Sequence, residues 1–184
     1  TTEIYTLSLH DALPIYHSIY ACGFALQLLG FQVLNDICWF KPNAPPNLSG
    51  RYFTASHETL IWARKNANER HTFNYDETKN GEWPEDTLKK PGRQMRSVWS
   101  IPSPRGDEKR HGKHPTQKPC ALLKRVILSS SNPSDLVVDP FTGSSTTGLV
   151  ACSLGRRFIG MDTERDFLDL SVARYRDMVG AGFR

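Results

Sequence analysis

A group of acidic, glycine and hydroxyl residues occupies the stretch DPFTGSSTTG, residues 139–148, in the last quarter of a 184-residue chain. Asp139 follows a short apolar run, Gly143 permits a close approach of the backbone, and the serines and threonines stand where a helix would begin. A second acid, Asp162, follows roughly 20 residues later, the spacing at which a carboxylate accepts the hydroxyls of a ribose in nucleotide-binding units. The group therefore predicts a nucleotide-type ligand.

The same stretch lacks two features that bind phosphates. No lysine precedes its hydroxyl residues, as a P-loop would require, and the GxGxxG spacing of a dinucleotide loop is absent. An acid at the end of a strand repels a pyrophosphate in a partly dry cleft, whereas it attracts a cation or an amine. The residues therefore favour an adenosine-type cofactor with a positively charged, amine-bearing tail.

The rest of the chain supplies the elements that must position this group. Helical periodicity and capping signals predict helices over residues 18–29, 120–130, 144–154 and 165–178. Apolar and β-branched content predicts strands over residues 31–40, 57–65, 135–139 and 157–162. Because strands alternate with helices, we expect an α/β fold with a mostly parallel sheet and helices on both faces.

Residues 66–112 differ from the rest, since they are polar, charged and interrupted by proline and glycine, with Trp83 and Trp99 as aromatic anchors. We interpret this interval as an irregular insertion. The formal net charge is only +4, but lysine and arginine concentrate in and just after this interval, which is typical of a surface that meets a polyanion. The candidates for phosphate contacts are Arg93, Arg96, Arg105, Lys109, Arg110 and Lys113.

The four cysteines form no CxxC pair, so we expect reduced, packed thiols in a cytoplasmic protein. His111 and His114 have a spacing that could hold a metal, but no partner pair of cysteines or histidines lies nearby, and no metal site is predicted. No apolar run approaches the length of a membrane span, so no membrane partner is expected.

Residues 1–15 contain the string TLSLHDALPI, which shows neither the period of a strand nor that of a helix. The string is similar to the translation of a sequencing-library adapter. We expect a non-native segment there and leave residues 1–15 out of the fold prediction. On this interpretation the remaining chain is a fragment of a longer protein.

Several motifs, in order, resemble the amino-group DNA methyltransferases, which methylate adenine N6 or cytosine N4, in the permuted beta class of restriction-modification systems. DPFTGSSTTG resembles the cofactor motif of that family, FIGMD the strand that follows it, and HPTQKP the entry motif before it. NDICWFKPNAPPN and RYFTASHETLIWARK resemble its middle blocks. The resemblance covers residues 16–175 and departs at Ser145, where the family has glycine, and at Asp162, where glutamate is more frequent.

The resemblance implies a Rossmann-like methyltransferase sheet that is incomplete at its N-terminus. The catalytic and cofactor domain would comprise residues 16–65 and 113–184, and residues 66–112 would be a target-recognition insertion. The partner would be double-stranded DNA, and the full-length protein would be compatible with a homodimer. The cofactor would be S-adenosyl-L-methionine, and the residues that would bind it are Asp139, Phe141, Gly143, Thr146, Asp162 and Lys118.

The catalytic tetrapeptide of that family, Asp-Pro-Pro-Tyr or a close variant, occurs nowhere in the 184 residues, and NAPPN lacks both its acid and its aromatic residue. No catalytic residue is therefore assigned. The resemblance implies transfer of a methyl group to adenine N6, but we expect this chain to be inactive by itself. Cytosine-N4 methylation is the alternative, as is a module that binds cofactor or DNA without catalysis.

Two residue pairs offer other kinds of catalysis. His57 and Glu58 could form an acid–base pair, and the KPC sequence at residues 118–120 could supply the nucleophilic cysteine of carbon-5 cytosine methylation. Transfer to an amine needs no covalent enzyme intermediate, and both pairs lie in blocks that resemble the family's structural motifs. We therefore expect a structural hydrogen-bonding role for His57 and Glu58 and a packing role for Cys120.

Overall fold

The structure is a computed structural model that describes residues 15–112 and 114–180. Its helices are α1 (Ile15–Leu28), α2 (Tyr75–Asn80), α3 (Cys120–Ser130), α4 (Thr146–Ser153) and α5 (Arg165–Gly180). Its strands are β1 (Gln32–Phe40), β2 (His57–Arg64), β3 (Val98–Ser100), β4 (Leu136–Asp139) and β5 (Arg157–Gly160). A single 3-10 turn is described at Gly106–Lys109.

The described strands form two sheets. In the first, the strand order is β2-β1-β3, with β1 antiparallel to β2 and parallel to β3. In the second, β4 and β5 run parallel, with Val137 beside Phe158. The prediction of an α/β fold with a mostly parallel sheet is confirmed. The exception, β2, runs opposite to β1 because the chain returns through a loop without a crossover helix.

One apolar core joins the two sheets. Trp39 of β1, Leu122 of α3 and Ala151 of α4 are each 2% exposed or less and belong to one buried cluster. Val137 of β4 and Phe158 of β5 pack against that cluster from the second sheet. Helix α3 also packs on α4, and both helices contribute residues to this core.

Residues 66–112 are more regular than predicted, since they contain α2, β3 and the 3-10 turn. The two tryptophans anchor this interval as expected, but they do so around a charge. The Arg125 guanidinium carbon lies 4.8 Å from the Trp83 ring centroid and 5.0 Å from that of Trp99. Arg125 also pairs with Asp86 at 2.5 Å, with both side chains nearly fully buried. A buried ion pair therefore fixes this interval to α3.

The predicted element boundaries agree with the structure to within a few residues, with one difference that affects the site. Helix α3 has the predicted bounds, and α1 starts earlier than expected. Strand β5 ends at Gly160, so Asp162 stands in the following loop. The segment predicted to be non-native lies outside the described residues up to residue 14. Within the described ranges, none of the helices combines the length and the apolar character that crossing a membrane requires.

Candidate functional site

The carboxyl ends of β4 and β5 are joined by backbone hydrogen bonds. The Met161 N–H donates to the Asp139 carbonyl at 2.9 Å, and the Thr142 N–H donates to the Met161 carbonyl at 2.8 Å. The loop that leads from β4 to α4 therefore lies across the end of β5. In parallel α/β sheets this edge is where ligands bind.

Asp162 holds the same loop from the other strand. One carboxylate oxygen accepts the Gly143 N–H at 2.8 Å, and the other accepts the Glu164 N–H at 2.9 Å. A carboxylate has about four acceptor positions, so these two bonds orient the group and leave acceptor capacity for a ligand. Although Asp162 lies beyond β5, it is next to the loop as the motif predicted.

Asp139, Phe141 and Thr142 line the end of β4. Asp139 is 8% exposed, and its Oδ1 accepts the Phe141 N–H at 3.1 Å. The Phe141 ring is 42% exposed, so it does not belong to the core. The Thr142 Oγ1 is buried and has no hydrogen-bond partner among the described residues. A buried hydroxyl without a partner is unfavourable.

Gly143 takes a left-handed conformation with φ of +49°, and an added Cβ would lie 2.9 Å from His114 Nε2. The His114 ring in turn packs edge-on against Phe167 of α5, with centroids 4.2 Å apart. Glycine is thus required by both its backbone angle and the histidine of the HPTQKP motif. This contact explains why two motifs that are distant in sequence belong to one site.

Replacement of Gly143 by alanine should therefore combine left-handed strain with overpacking. Gly155 is a matched control, because its φ is +74° and nothing lies within 4 Å of the position that a Cβ would take there. We expect Gly143→Ala to lower the free energy of unfolding by about 1–3 kcal/mol more than Gly155→Ala. Urea denaturation of both variants measures the difference. Equal losses would show that His114 moves aside without cost.

Helix α5 donates hydrogen bonds to the loop between β4 and α4 through residues that the sequence motifs did not reveal. Ser171 donates to the Gly143 carbonyl at 2.8 Å, and Arg174 donates to the Ser144 carbonyl and, at 3.1 Å, to Thr146 Oγ1. Burial lowers the pKa of Arg174. Their spacing of three residues on one helical face was the available signal, but only the fold shows what that face meets.

The structure brings four of the six predicted cofactor residues to this edge, namely Asp139, Phe141, Gly143 and Asp162. Thr146 is 4% exposed, and its hydroxyl is bonded to Arg174. Its hydroxyl therefore connects the start of α4 to α5. Lys118 belongs to a different cluster on the first sheet. The cofactor roles of all six residues remain predictions.

That second cluster consists of Lys41, Glu58, Lys118 and Trp39. The two carboxylate oxygens of Glu58 pair with Lys118 at 2.7 Å and with Lys41 at 3.0 Å. Both ammonium groups also lie over the Trp39 ring, at 5.6 and 5.7 Å from its centroid. Burial alone would raise the pKa of Glu58, but Lys118 and Lys41 outweigh it and hold that pKa below its usual range. Glu58 is therefore an ionised, bridging group, in line with the hydrogen-bonding role predicted for it.

Cys120 does not have the properties of a nucleophile. Burial, with a contribution from the Glu108 carboxylate, raises the pKa of its thiol to about 12. Glu108 also accepts the Cys120 backbone N–H at 2.9 Å. The thiolate is the reactive form of cysteine, so the structure supports the packing role and disfavours carbon-5 cytosine chemistry at this residue.

We expect Cys120 to resist alkylation in the native protein. At pH 8 its thiolate fraction should be about three orders of magnitude below that of an ordinary cysteine. Iodoacetamide labelling followed by peptide mass spectrometry measures the rate at each cysteine, and denatured protein gives the reference rate. Native labelling of Cys120 as fast as in the denatured chain would contradict the assignment.

The predicted phosphate contacts differ in availability. Arg93, Arg96 and Arg105 are exposed, and Lys109 is half-buried. Arg110 is exposed but pairs with Asp177 of α5. Lys113 lies outside the described residues. DNA contact by any of these six side chains remains a prediction. Among the described residues, no group of three or more histidine, cysteine, aspartate or glutamate side chains could hold a metal ion.

The residues at the strand edge fit the chemistry of S-adenosylmethionine. Two carboxylates can accept hydrogen bonds from an amine and from ribose hydroxyls, and an exposed aromatic ring offers a face to a purine. The same set offers no cation for a polyphosphate. The donor set therefore fits an adenosine cofactor with a cationic tail.

Comparisons with known proteins agree with this geometry. A family described as DNA methylase, the N6/N4 methyltransferases, matches residues 10–173. The chain is 50% identical over 159 residues to the Type II methyltransferase M2.DpnII of Streptococcus pneumoniae, covering 86% of this chain and 56% of that protein. It is 46% identical to the Type II methyltransferase M2.MboI of Moraxella bovis, covering 89% of this chain and 57% of that protein. It thus spans a little over half the length of these curated relatives.

Solved structures show the same fold. The crystal structure of the M1.HpyAVI–SAM complex superposes with a TM-score of 0.69 at 34% identity, covering 86% of this chain and 70% of that chain. The cytosine-N4-specific PvuII DNA methyltransferase has a TM-score of 0.68 at 21% identity, covering 92% of this chain and 61% of that chain. The second likeness concerns the fold alone. From its family match, its relatives and the geometry of the strand edge, the chain belongs to the N6/N4 DNA methylase family of restriction-modification type, whose cofactor is S-adenosylmethionine.

Proposed function

We propose that this chain is the cofactor-binding part of a DNA adenine-N6 methyltransferase and that the edge formed by β4 and β5 binds S-adenosylmethionine. The observation that carries the proposal is the pair of carboxylates, Asp139 and Asp162, at the ends of adjacent parallel strands beside the exposed Phe141. The cofactor supplies a methyl group on a positively charged sulfur. In the proposed site Asp162 accepts ribose hydroxyls, Asp139 accepts the amine of the tail, and Phe141 offers an apolar face.

The methyl acceptor in this proposal is an exocyclic amine in double-stranded DNA. Transfer to such an amine depends on alignment and on hydrogen bonds that draw charge from it. The protonated Cys120 is consistent with a reaction that needs no covalent enzyme intermediate. The tetrapeptide that aligns the amine in this family is absent from these residues, so we propose that the chain binds the cofactor without transferring its methyl group unaided.

Adenine is the proposed base because the sequence motifs resemble those of adenine-N6 enzymes, and the 21% identity to the cytosine-N4-specific PvuII enzyme concerns the fold alone. The domain limits, the cytoplasmic location and a homodimer of the complete protein stay predictions. Light scattering on the complete protein would measure its oligomeric state.

A chimera tests the function directly. In it, the 159 residues of this chain that align with M2.DpnII replace their counterparts in that protein, and the sample is incubated with methyl-labelled cofactor and duplex DNA. We expect labelled N6-methyladenine from the chimera and no transfer from the 184 residues alone. Label in N4-methylcytosine would select the alternative base. Transfer by the 184 residues alone would contradict the proposed dependence on a further segment, and an inactive but folded chimera would count against the function.

A further inference from the structure

The loop that joins β1 to β2, residues 41–56, exposes three large apolar side chains, and we call it the hairpin loop. Leu48 is 95% exposed, Tyr52 75% and Phe53 98%. Single exposed apolar residues are normal on a protein surface, whereas grouped ones mark sites of interaction. These three are close together in the sequence, and Arg51 stands between Leu48 and Tyr52. The hairpin loop therefore combines aromatic, aliphatic and cationic groups.

The tip of the hairpin loop has a defined conformation. The Asn47 N–H donates to Thr54 Oγ1 at 3.1 Å, and its side-chain amide donates to the Tyr52 carbonyl at 2.7 Å. The Ser49 N–H donates to Asn47 Oδ1 at 3.0 Å. Asn47 thus connects the two sides of the tip. The exposed side chains are presented by an organised backbone, which lowers the entropy cost of binding a partner.

The base of the hairpin loop connects it to the predicted DNA-facing segment. The Lys41 N–H donates to the Ser56 carbonyl at 2.7 Å and closes the loop. Asn43 Oδ1 accepts the Ser103 N–H at 2.8 Å. Ser103 lies just before Arg105, an exposed residue that is among the predicted phosphate contacts. The hairpin loop is therefore held beside the start of the basic segment.

The charge of the hairpin loop narrows the class of partner. Residues 41–56 contain Lys41 and Arg51 and no aspartate or glutamate. Lys41 is already paired with Glu58, while Arg51 is exposed. A fitting partner combines negative charge with flat apolar faces. Nucleic acid with unstacked bases has both, because its phosphates attract arginine and its bases stack on aromatic rings.

We propose that the hairpin loop is a nucleic-acid contact in which Phe53 stacks on a base face exposed in an opened duplex. Leu48 and Tyr52 fill the space beside that base, and Arg51 contacts the phosphate backbone. The inference rests on the proposed function, since an enzyme that acts on an exocyclic amine takes its target base out of the stack and leaves unstacked faces behind. It assigns DNA contact to a loop outside residues 66–112.

Fluorescence anisotropy with two labelled duplexes tests the proposal on the 184-residue chain. One duplex is intact, and the other contains an abasic position that exposes neighbouring base faces. We expect tighter binding to the abasic duplex. Phe53→Ala should weaken that binding by about 5- to 100-fold and should change the affinity for the intact duplex little. Phe53→Trp should keep the preference and show fluorescence quenching beyond that of the native tryptophans.

Two further variants separate stacking from other effects. Phe24→Ala removes a phenylalanine from α1 that is 63% exposed, and it should leave both affinities unchanged. Arg51→Ala should weaken binding to both duplexes by the same factor. It should also reduce the salt dependence of the binding affinity by the equivalent of about one phosphate contact. These outcomes would support a stacking role for Phe53 beside a backbone contact by Arg51.

Three results would overturn the proposal. The first is equal binding of wild type and Phe53→Ala to the abasic duplex, and the second is no binding of either duplex at low salt. The third is a self-associated wild type that becomes monomeric as Phe53→Ala, since the hairpin loop would then join two copies of the chain. Cofactor binding and transfer by the chimera are measured separately, so either proposal can fail while the other stands.

Discussion

Replacing Asp86 with alanine is expected to destabilise the protein by about 3–5 kcal/mol, because it leaves the Arg125 guanidinium charged and unpaired in the core. The two side chains are 2% and 1% exposed and pair at 2.5 Å. The second Asp86 oxygen accepts the N–H groups of Leu88 and Ser100 at 2.9 and 3.2 Å. Burial lowers the pKa of Arg125, and Asp86 opposes that shift.

Two comparisons make the Asp86 result specific. The surface pair Arg165–Asp169 is separated by 3.8 Å with both side chains largely exposed, so Asp169→Ala should cost less than about 1 kcal/mol. The double change Asp86→Leu with Arg125→Met removes both charges and should recover much of the loss. Urea denaturation gives all three values. A loss below about 1 kcal/mol for Asp86→Ala would show that the pair does not hold residues 66–112 to α3.

The second large effect concerns the cofactor. Asp139→Ala should weaken binding of S-adenosylmethionine by about 10- to 100-fold, because it removes a buried, charge-assisted acceptor from the strand edge. Asp139→Asn keeps the shape of the side chain and an acceptor for the Phe141 N–H. The loss of cofactor affinity in this variant would therefore measure the contribution of the negative charge. Isothermal titration calorimetry gives both affinities.

The control for Asp139 is an acid of the same type outside the proposed site. Asp166 is exposed in the first turn of α5, and Asp166→Asn should leave cofactor affinity unchanged. Thermal melting of each variant separates lost binding from lost folding. Wild-type affinity in a folded Asp139→Ala protein would remove Asp139 from the site.

Much of the fold could be predicted from the sequence because its signals are local. The apolar period of residues 120–130 predicts α3, and the short apolar run before Asp139 predicts β4. The antiparallel direction of β2 could not be obtained from its composition, since a strand's apolar content does not encode the direction of its neighbour. β3 was missed because three residues carry too short a period to recognise.

In the candidate site, sequence spacing predicts which residues of one motif lie together, whereas contacts between residues distant in sequence appear only in the fold. Asp139, Gly143 and Asp162 lie within one βαβ unit, and the spacing placed them correctly at one edge. Thr146 belongs to the same motif, but its hydroxyl accepts a hydrogen bond from Arg174 of α5. The cofactor role of Lys118 stays a prediction, and the structure shows that Lys118 pairs with Glu58 of β2, 60 positions away in sequence. Such long-range pairs have no period or spacing that reveals them.

The most direct test of the proposed cofactor site is calorimetric titration of the wild-type chain with S-adenosylmethionine, alongside ATP and NAD. We predict one saturable site for S-adenosylmethionine that S-adenosylhomocysteine competes for, with no measurable binding of either phosphate-bearing nucleotide, because the carboxylates of Asp139 and Asp162 at the strand edge repel phosphate groups. Binding of ATP or NAD in preference to S-adenosylmethionine, or no binding of S-adenosylmethionine by the folded chain, would contradict this prediction.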